Sequence, residues 1–400
     1  MKKILSLDLK YSGSQIFYFA AFCSMMGYAS VFLLDKGCSN SEIGIALALA
    51  NIIAVFSQPA IASFVDDHKN IEIRNVIALM ALSVIILSII LYLVPVSPFF
   101  VLFLVVTIFA IMSTVMPLMN SLAFVFEKYG VEINYGLARG LGSVAYAFAS
   151  LLLGYIVEKF SPGILPLFYI IFTALLFITV KMFVLPKTLQ YSNADKEKQA
   201  AKPEKETEAV QLSFGKFCFK YKKFIIFLLG FVFVYFAHTI INNFFIQVIN
   251  NINGTSSDMG NAVFVAAMLE LPTMAFFSKL SEKINCATLI KFSIVMFVFK
   301  HTLTYFATNM MMIYAAQVLQ MFAYALFIPA SVYYVNQKVA EADRVKGQSL
   351  VTMSMTLSGV FASFCGGILL DAIGVEQVLL LSAVLSVIGA VIVCLTAEKV

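Results

Sequence analysis

Long apolar runs separated by short polar punctuation fill the chain, and each run is of membrane length. Apolar segments fall at approximately 13–34, 42–65, 74–94, 99–125, 139–158 and 164–185. Six more follow at 224–248, 260–280, 288–308, 311–336, 348–371 and 376–397. A helix needs roughly 20 mostly apolar residues to cross a bilayer, so the pattern predicts twelve spans. Barrel strands would alternate over about 10 residues, which these runs do not do. Helices satisfy their own backbone in lipid, and the expectation is an all-α polytopic membrane protein. The one long polar stretch, Pro186 to Lys222, carries Lys–Glu runs such as Asp195-Lys196-Glu197-Lys198. It predicts a mostly disordered central loop over 186–222, ending in an amphipathic piece near 212–220. The loop separates a six-helix half over 1–185 from a second over 223–400.

Composition excludes the alternatives. The chain is 61% hydrophobic and 12% charged, against about 45–50% and about 25% in ordinary soluble domains. Of the 27 Lys and Arg, only Lys36 and Lys159 fall in one set of loops. Arg139, Lys291 and Lys300 fall within spans, and the remainder lie on the opposite side. That asymmetry predicts both termini in the cytoplasm and a multi-pass protein of the cell membrane. The net charge of +5 then reflects topology and contact with the lipid bilayer, not a nucleic-acid footprint. Met1-Lys2-Lys3 before an apolar run resembles a signal peptide, but the run is too long and is read as a retained first helix. The six cysteines (23, 38, 218, 286, 365, 394) form no CxxC pair and are read as free thiols. The three histidines show no metal-ligand spacing, so no metal and no cofactor is expected. There is no GxxxxGK[ST] pattern for nucleotide-driven transport. No nucleophile–His–acid set supports a membrane enzyme.

The halves echo each other. Pro59 precedes Asp66 by the interval at which Pro272 precedes Lys279, and Gly154-x-x-x-Glu158 recurs as Gly367-x-x-x-Asp371. With Pro117 and Pro329, the landmarks share an offset of 212 or 213 residues. They point to a tandem duplication, with two pseudo-symmetric six-helix halves related by an axis along the membrane normal. A duplicated six-helix unit with a basic central loop resembles the major facilitator superfamily. Several stretches are similar to its oligosaccharide–proton symporter branch, the lactose permease-like one. These are Phe56-Ser57-Gln58-Pro59 leading to Asp66-Asp67, Asn134-Tyr135-Gly136-Leu137-Ala138-Arg139-Gly140, Leu269-Glu270-Leu271-Pro272, and Gln317-x-x-Gln320-x-Phe322. The resemblance implies a gating role for Asp66. The branch has Gly where Ala62 stands and a basic residue where Asp67 stands.

A charge at bilayer depth costs at least ~2.5–3.5 kcal/mol, so each such residue requires a reason. Glu270 sits halfway along span 8 in apolar surroundings, where a carboxylate is a candidate proton carrier and acceptor for solute hydroxyls. The plainer reading is a packing ion pair. The resemblance places it on the branch's sugar-binding carboxylate. Arg139 opens span 5, with Ser143 and Tyr146 on the same helical stripe. Together they offer a guanidinium fork, a hydroxyl and an aromatic face to a sugar or another flat polar solute. Snorkelling to the headgroups is the alternative for Arg139. Lys300 falls where the branch keeps a proton-coupling arginine, and His238 where it has an aspartate. His238 is read equally as a packing histidine. The branch's essential His and Glu on span 10 are Gln320 and Ala323 here, and Asn120 is the nearest polar substitute for a span 4 carboxylate. Tyr18 and Tyr235 are weaker candidates.

The expectation is therefore a transporter working by alternating access, its site between the halves. The candidate substrate-binding residues are Arg139, Ser143, Tyr146, Glu270, Asn120 and Gln320. Glu270, Lys300 and His238 are the candidates for proton coupling. The partners are a small-molecule solute, with a sugar, oligosaccharide or glycoside favoured, and protons as coupling ion. The chain is expected to work as a monomer. An organic-anion or aromatic-acid carrier and a transporter-like sensor are the alternatives.

Overall fold

The structure is a computed structural model that describes residues 2–3, 5–68, 71–94, 97–126, 131–184 and 213–398. Residues 186–212 of the predicted loop over 186–222 lie outside the described residues, as does the side chain of Asp66. The chain is helical almost throughout. In order it forms α1 (Leu5–Phe22), α2 (Ala29–Asp35), α3 (Asn40–Asp67), α4 (Ile73–Leu93), α5 (Pro98–Leu122), α6 (Tyr135–Phe160) and α7 (Leu165–Met182). Then follow α8 (Phe214–Lys220), α9 (Lys222–Asn243), α10 (Phe245–Asn251), α11 (Ser256–Lys283) and α12 (Cys286–Tyr305). The last three are α13 (Met310–Val318), α14 (Tyr324–Lys338) and α15 (Arg344–Thr396).

Ten helical stretches are long and apolar enough to cross a membrane among the described residues, and the bent pair α1–α2 would be an eleventh. At 53 residues α15 is about 80 Å long, far more than a hydrocarbon core of about 30 Å. It breaks at Gly374, whose φ of +79° suits a residue without Cβ, and its two arms are each of membrane length.

Local chemistry sets the helix starts. Ser97 accepts from the Phe100 N–H, with Pro98 in the first helical position. Thr255 and Asp258 form a reciprocal capping box at the head of α11. Interruptions fall inside spans as well: a π turn at Cys23–Gly27 and a 3₁₀ turn at Leu319–Met321. The amphipathic piece expected near 212–220 is α8, which buries Phe217 and leaves Phe214 and Phe219 exposed. The one strand pairing among the described residues is a two-residue parallel pair. Here β1 (Lys2–Lys3) lies beside β2 (Val131–Glu132).

The helices gather into two compact units. One comprises Met1–Met26, Ile52–Ala149 and Ile164–Glu208, the other Gly27–Asn51, Ser150–Gly163 and Ala209–Val400. In the first, α4 packs on α5 and α7, and α1 on α7. In the second, α15 packs on α9 and α12, while α11 packs on α13 and α14. A phenylalanine-rich core holds the second unit together, with Phe231 stacked on Phe327 at 4.1 Å. The α9–α15 crossing is closed by small residues: a Cβ on Gly230 would meet the Gly389 carbonyl at 2.9 Å.

Candidate functional site

In the first unit α6 carries Arg139, Ser143 and Tyr146 along one stripe, and the structure brings the first two together. Arg139 Nη1 donates to Ser143 Oγ at 3.1 Å, and its guanidinium lies 4.1 Å from the centre of the Phe19 ring. Phe19 can take that position because Gly142 has no side chain. A Cβ there would stand 3.3 Å from the Gln15 carbonyl and press on the ring itself. Arg139 is half-buried, and it forms no ion pair among the described residues. Tyr146, half-buried, lies two turns along the helix. Asn120 accepts a 3.2 Å hydrogen bond from the Tyr135 hydroxyl. Tyr18 is fully packed and donates its hydroxyl to the Met112 carbonyl at 3.0 Å.

In the second unit three candidates join into one chain of hydrogen bonds. Lys300 Nζ donates to Gln320 Oε1 at 2.5 Å, and Gln320 Nε2 donates to Glu270 Oε1 at 2.8 Å. The amide can face only one way: its oxygen meets the ammonium, its nitrogen the carboxylate. Lys300 is 0% exposed and Gln320 is buried, so the chain lies in a low dielectric where such bonds strengthen. Gln320 reaches both partners because it sits on the 3₁₀ turn between α13 and α14, where the helix is interrupted. On α11, Pro272 deprives the Met268 carbonyl of its helical donor, close to Glu270. Gln320, at the position where the resembled branch keeps a histidine, thus bridges Lys300 and Glu270 through its amide.

His238 completes the cluster. Its Nε2 lies 3.0 Å from Asn242 Nδ2, and its ring stacks on Tyr324 at 5.6 Å and on His301 at 5.9 Å. His301, which sequence reasoning passed over, is buried beside Lys300 and shares a 2.5 Å hydrogen bond with Ser386 Oγ. Nδ1 of His238 and Nε2 of His301 have no hydrogen-bond partner among the described residues. The only signal for His301 is its place next to Lys300 in the sequence. Tyr235 stacks on Tyr324 at 6.5 Å at the edge of the same cluster.

The landmarks Gly154–Glu158 and Gly367–Asp371 turn out to be halves of two matched clamps, both in the second unit. Gly154 packs against Gly260, so that a Cβ on either would stand 3.2 Å from the other's Cα. Gly367 packs against Gly44 with the corresponding distance of 3.1 Å. One turn further, Glu158 Oε2 accepts from Thr255 Oγ1 at 2.9 Å and from the Ser257 N–H at 3.3 Å. Asp371 does the same at the head of α3. It accepts from the Ser41 N–H at 2.7 Å, Ser41 Oγ at 2.6 Å and Asn40 Nδ2 at 2.8 Å. Each carboxylate thus meets the unpaired N–H groups and positive dipole end of a helix N-terminus. Gly44 and Gly260 were missed, because their partners are distant in sequence. Among the described residues no group of His, Cys, Asp and Glu is placed to hold a metal ion.

Known proteins match the chain across nearly its full length. The chain is 26% identical over 397 residues to the uncharacterized transporter YwbF of Bacillus subtilis (strain 168), covering 96% of this chain and 93% of that one. It is 24% identical over 396 residues to the maltose permease of Geobacillus stearothermophilus, covering 96% and 94%. Among solved structures, the nucleoside transporter NupG (D323A mutant) superposes with a TM-score of 0.79 at 16% identity, over 98% of this chain and 100% of that one. The MFS_1 like family model matches residues 9–381, and the chain belongs to that family of major facilitator transporters.

Proposed function

We propose that this transporter takes up a small hydroxylated solute, a sugar, oligosaccharide or glycoside, together with a proton. The observation that carries the reading is the Lys300–Gln320–Glu270 chain. With Glu270 ionised, the ammonium and carboxylate balance through the amide and hold α11, α12 and the α13–α14 break together. Protonation of Glu270 leaves Lys300 without its counter-charge and weakens that link. Solute hydroxyls compete for the same carboxylate and amide, so solute and proton are handled by one set of groups. His238 serves the coupling cluster by stacking beside Lys300. Arg139 and Ser143 supply donors to the solute, Tyr146 an aromatic face, and Asn120 a further polar contact.

The two carboxylate clamps act as a gate closed at the end that carries Lys36 and Lys159, which we place outside the cell membrane with both termini in the cytoplasm. Asp66 keeps its proposed gating role at the opposite end. The maltose permease relative and the nucleoside transporter neighbour, both named for hydroxyl-bearing glycosides, fit the substrate class.

Counterflow in proteoliposomes tests it, with labelled maltose, uridine and benzoate offered in parallel. Maltose or uridine is expected to exchange. Arg139→Ala is expected to raise its half-saturation by about 10- to 100-fold, the worth of a hydrogen bond to a charged group. Exchange of benzoate alone would favour the organic-anion reading, which the absence of an ion pair to Arg139 among the described residues supports.

A further inference from the structure

A groove of about 930 Å³ runs along the second unit between α11, α12 and the α13–α14 break, well away from the buried lysine chain in chemistry. Phe276 and Leu280 line it from α11, Leu289 and Phe292 from α12, Met321 and Phe322 from the break. Phe276 is 61% exposed and Phe292 45% exposed, although both lie on membrane-crossing helices. Apolar side chains exposed on such helices suit contact with lipid tails. The mouth is different in chemistry. It lies where α11 ends at Lys283 and α12 begins at Cys286, the depth at which headgroups sit, and it carries Lys279, Lys283 and Glu282. The ammonium of Lys279 hangs 5.7 Å from the Phe276 ring, between the apolar trough and the polar mouth. Two ammonium groups against one carboxylate leave a net positive mouth above an apolar trough.

We propose that this groove binds a phospholipid carrying one net negative charge, its phosphate on Lys279 and Lys283 and an acyl chain in the trough. Charge complementarity selects the anionic headgroup over a zwitterionic one, because Glu282 cancels only one of the two lysines. The acyl chain rests on Met321 and Phe322, at the end of the 3₁₀ turn that carries Gln320, the residue that bridges Lys300 and Glu270.

The chain contains no tryptophan, so Phe292→Trp gives a single fluorescent reporter inside the groove. In proteoliposomes of mostly phosphatidylcholine, tail-brominated phosphatidylglycerol should quench it about fivefold more effectively per mole than tail-brominated phosphatidylcholine. That factor is the worth of one uncompensated lysine at a headgroup. Adding Lys279→Gln and Lys283→Gln should abolish the preference, and a reporter at the exposed Val391→Trp on α15 should show none. Equal quenching by the two lipids at Phe292→Trp, or a preference that survives loss of both lysines, overturns the proposal. The unsubstituted chain gives an independent reading. Extracted from an equimolar mixture and observed by native mass spectrometry, it should retain phosphatidylglycerol about fivefold over phosphatidylcholine. Equal retention contradicts the site.

Discussion

Lys300 and Arg139 are both cations on membrane-crossing helices, and the fold treats them in opposite ways. Lys300 is wholly buried and is tied through Gln320 to Glu270. Arg139 is half-buried, bonded to a hydroxyl and laid against Phe19, with no carboxylate partner among the described residues. Both carry the cost of charge at depth, but only one is repaid within the protein. Under the proposed function, a cation with an internal counter-charge responds to the protonation state of that partner, and a cation without one is left for a solute.

The largest effect should come from unbalancing the compensated cation. Glu270→Gln removes the counter-charge that reaches Lys300 through Gln320. Breaking a direct buried pair typically costs about 3–5 kcal/mol, and the amide bridge and half-buried carboxylate place this loss at the lower end of that range. Unfolding in detergent is expected to show that loss for Glu270→Gln and for Lys300→Met alone, with most of it recovered in the double variant. Independent, additive losses would mean that the amide bridge does not couple the two charges.

Arg139 should behave otherwise. Arg139→Ala leaves no carboxylate stranded, so its unfolding should shift little while solute binding weakens. A stability loss equal to that of Glu270→Gln would erase the distinction between the two cations.

A smaller effect is expected at the clamps, where charge meets helix ends instead of a side-chain cation. Gly44→Ala and Gly154→Ala each force a methyl against backbone, at about 1–3 kcal/mol, and should loosen the two clamps alike. Cys38 offers the readout. It is buried beside the head of α3, and burial first, then Glu42, pushes its thiol up to about 11. With the other cysteines replaced, its labelling by a maleimide should rise about tenfold in either variant. A response to one glycine and not the other would break the symmetry of the clamps.

The smallest effect lies outside the membrane segments. Hydrogen bonds from Lys223 and Lys338 hold the Glu398 carboxyl down to about 2 from an ordinary 4.5. The tether it makes is therefore complete above pH 4.5 and is lost as pH falls toward 2. Unfolding curves of the wild type and Glu398→Gln should differ slightly at neutral pH and converge at the acid end.

Much of this architecture is legible in sequence because it is local. Membrane-length apolar runs mark the helices, and α8 follows from aromatic and basic residues after the charged loop. The stripe of Arg139, Ser143 and Tyr146 needs only helical periodicity. What periodicity does not show is which residues meet across distant segments. Gly367 is a repeat landmark in the sequence, but only the fold reveals Gly44 as its partner. Gln320 reads as the loss of a histidine until the 3₁₀ turn aims its amide at two charges. His301 is silent in sequence because its stacking on His238 joins two different helices.

Under the proposed function, solute and proton move together through Glu270. Proteoliposomes loaded with a pH-sensitive dye and given an inward maltose gradient test it most directly. Internal acidification is expected to follow maltose entry. Glu270→Gln is expected to lose this acidification while still exchanging maltose in counterflow, at a raised half-saturation because the same carboxylate meets solute hydroxyls. Maltose entry without proton movement, or acidification that persists in Glu270→Gln, would contradict it.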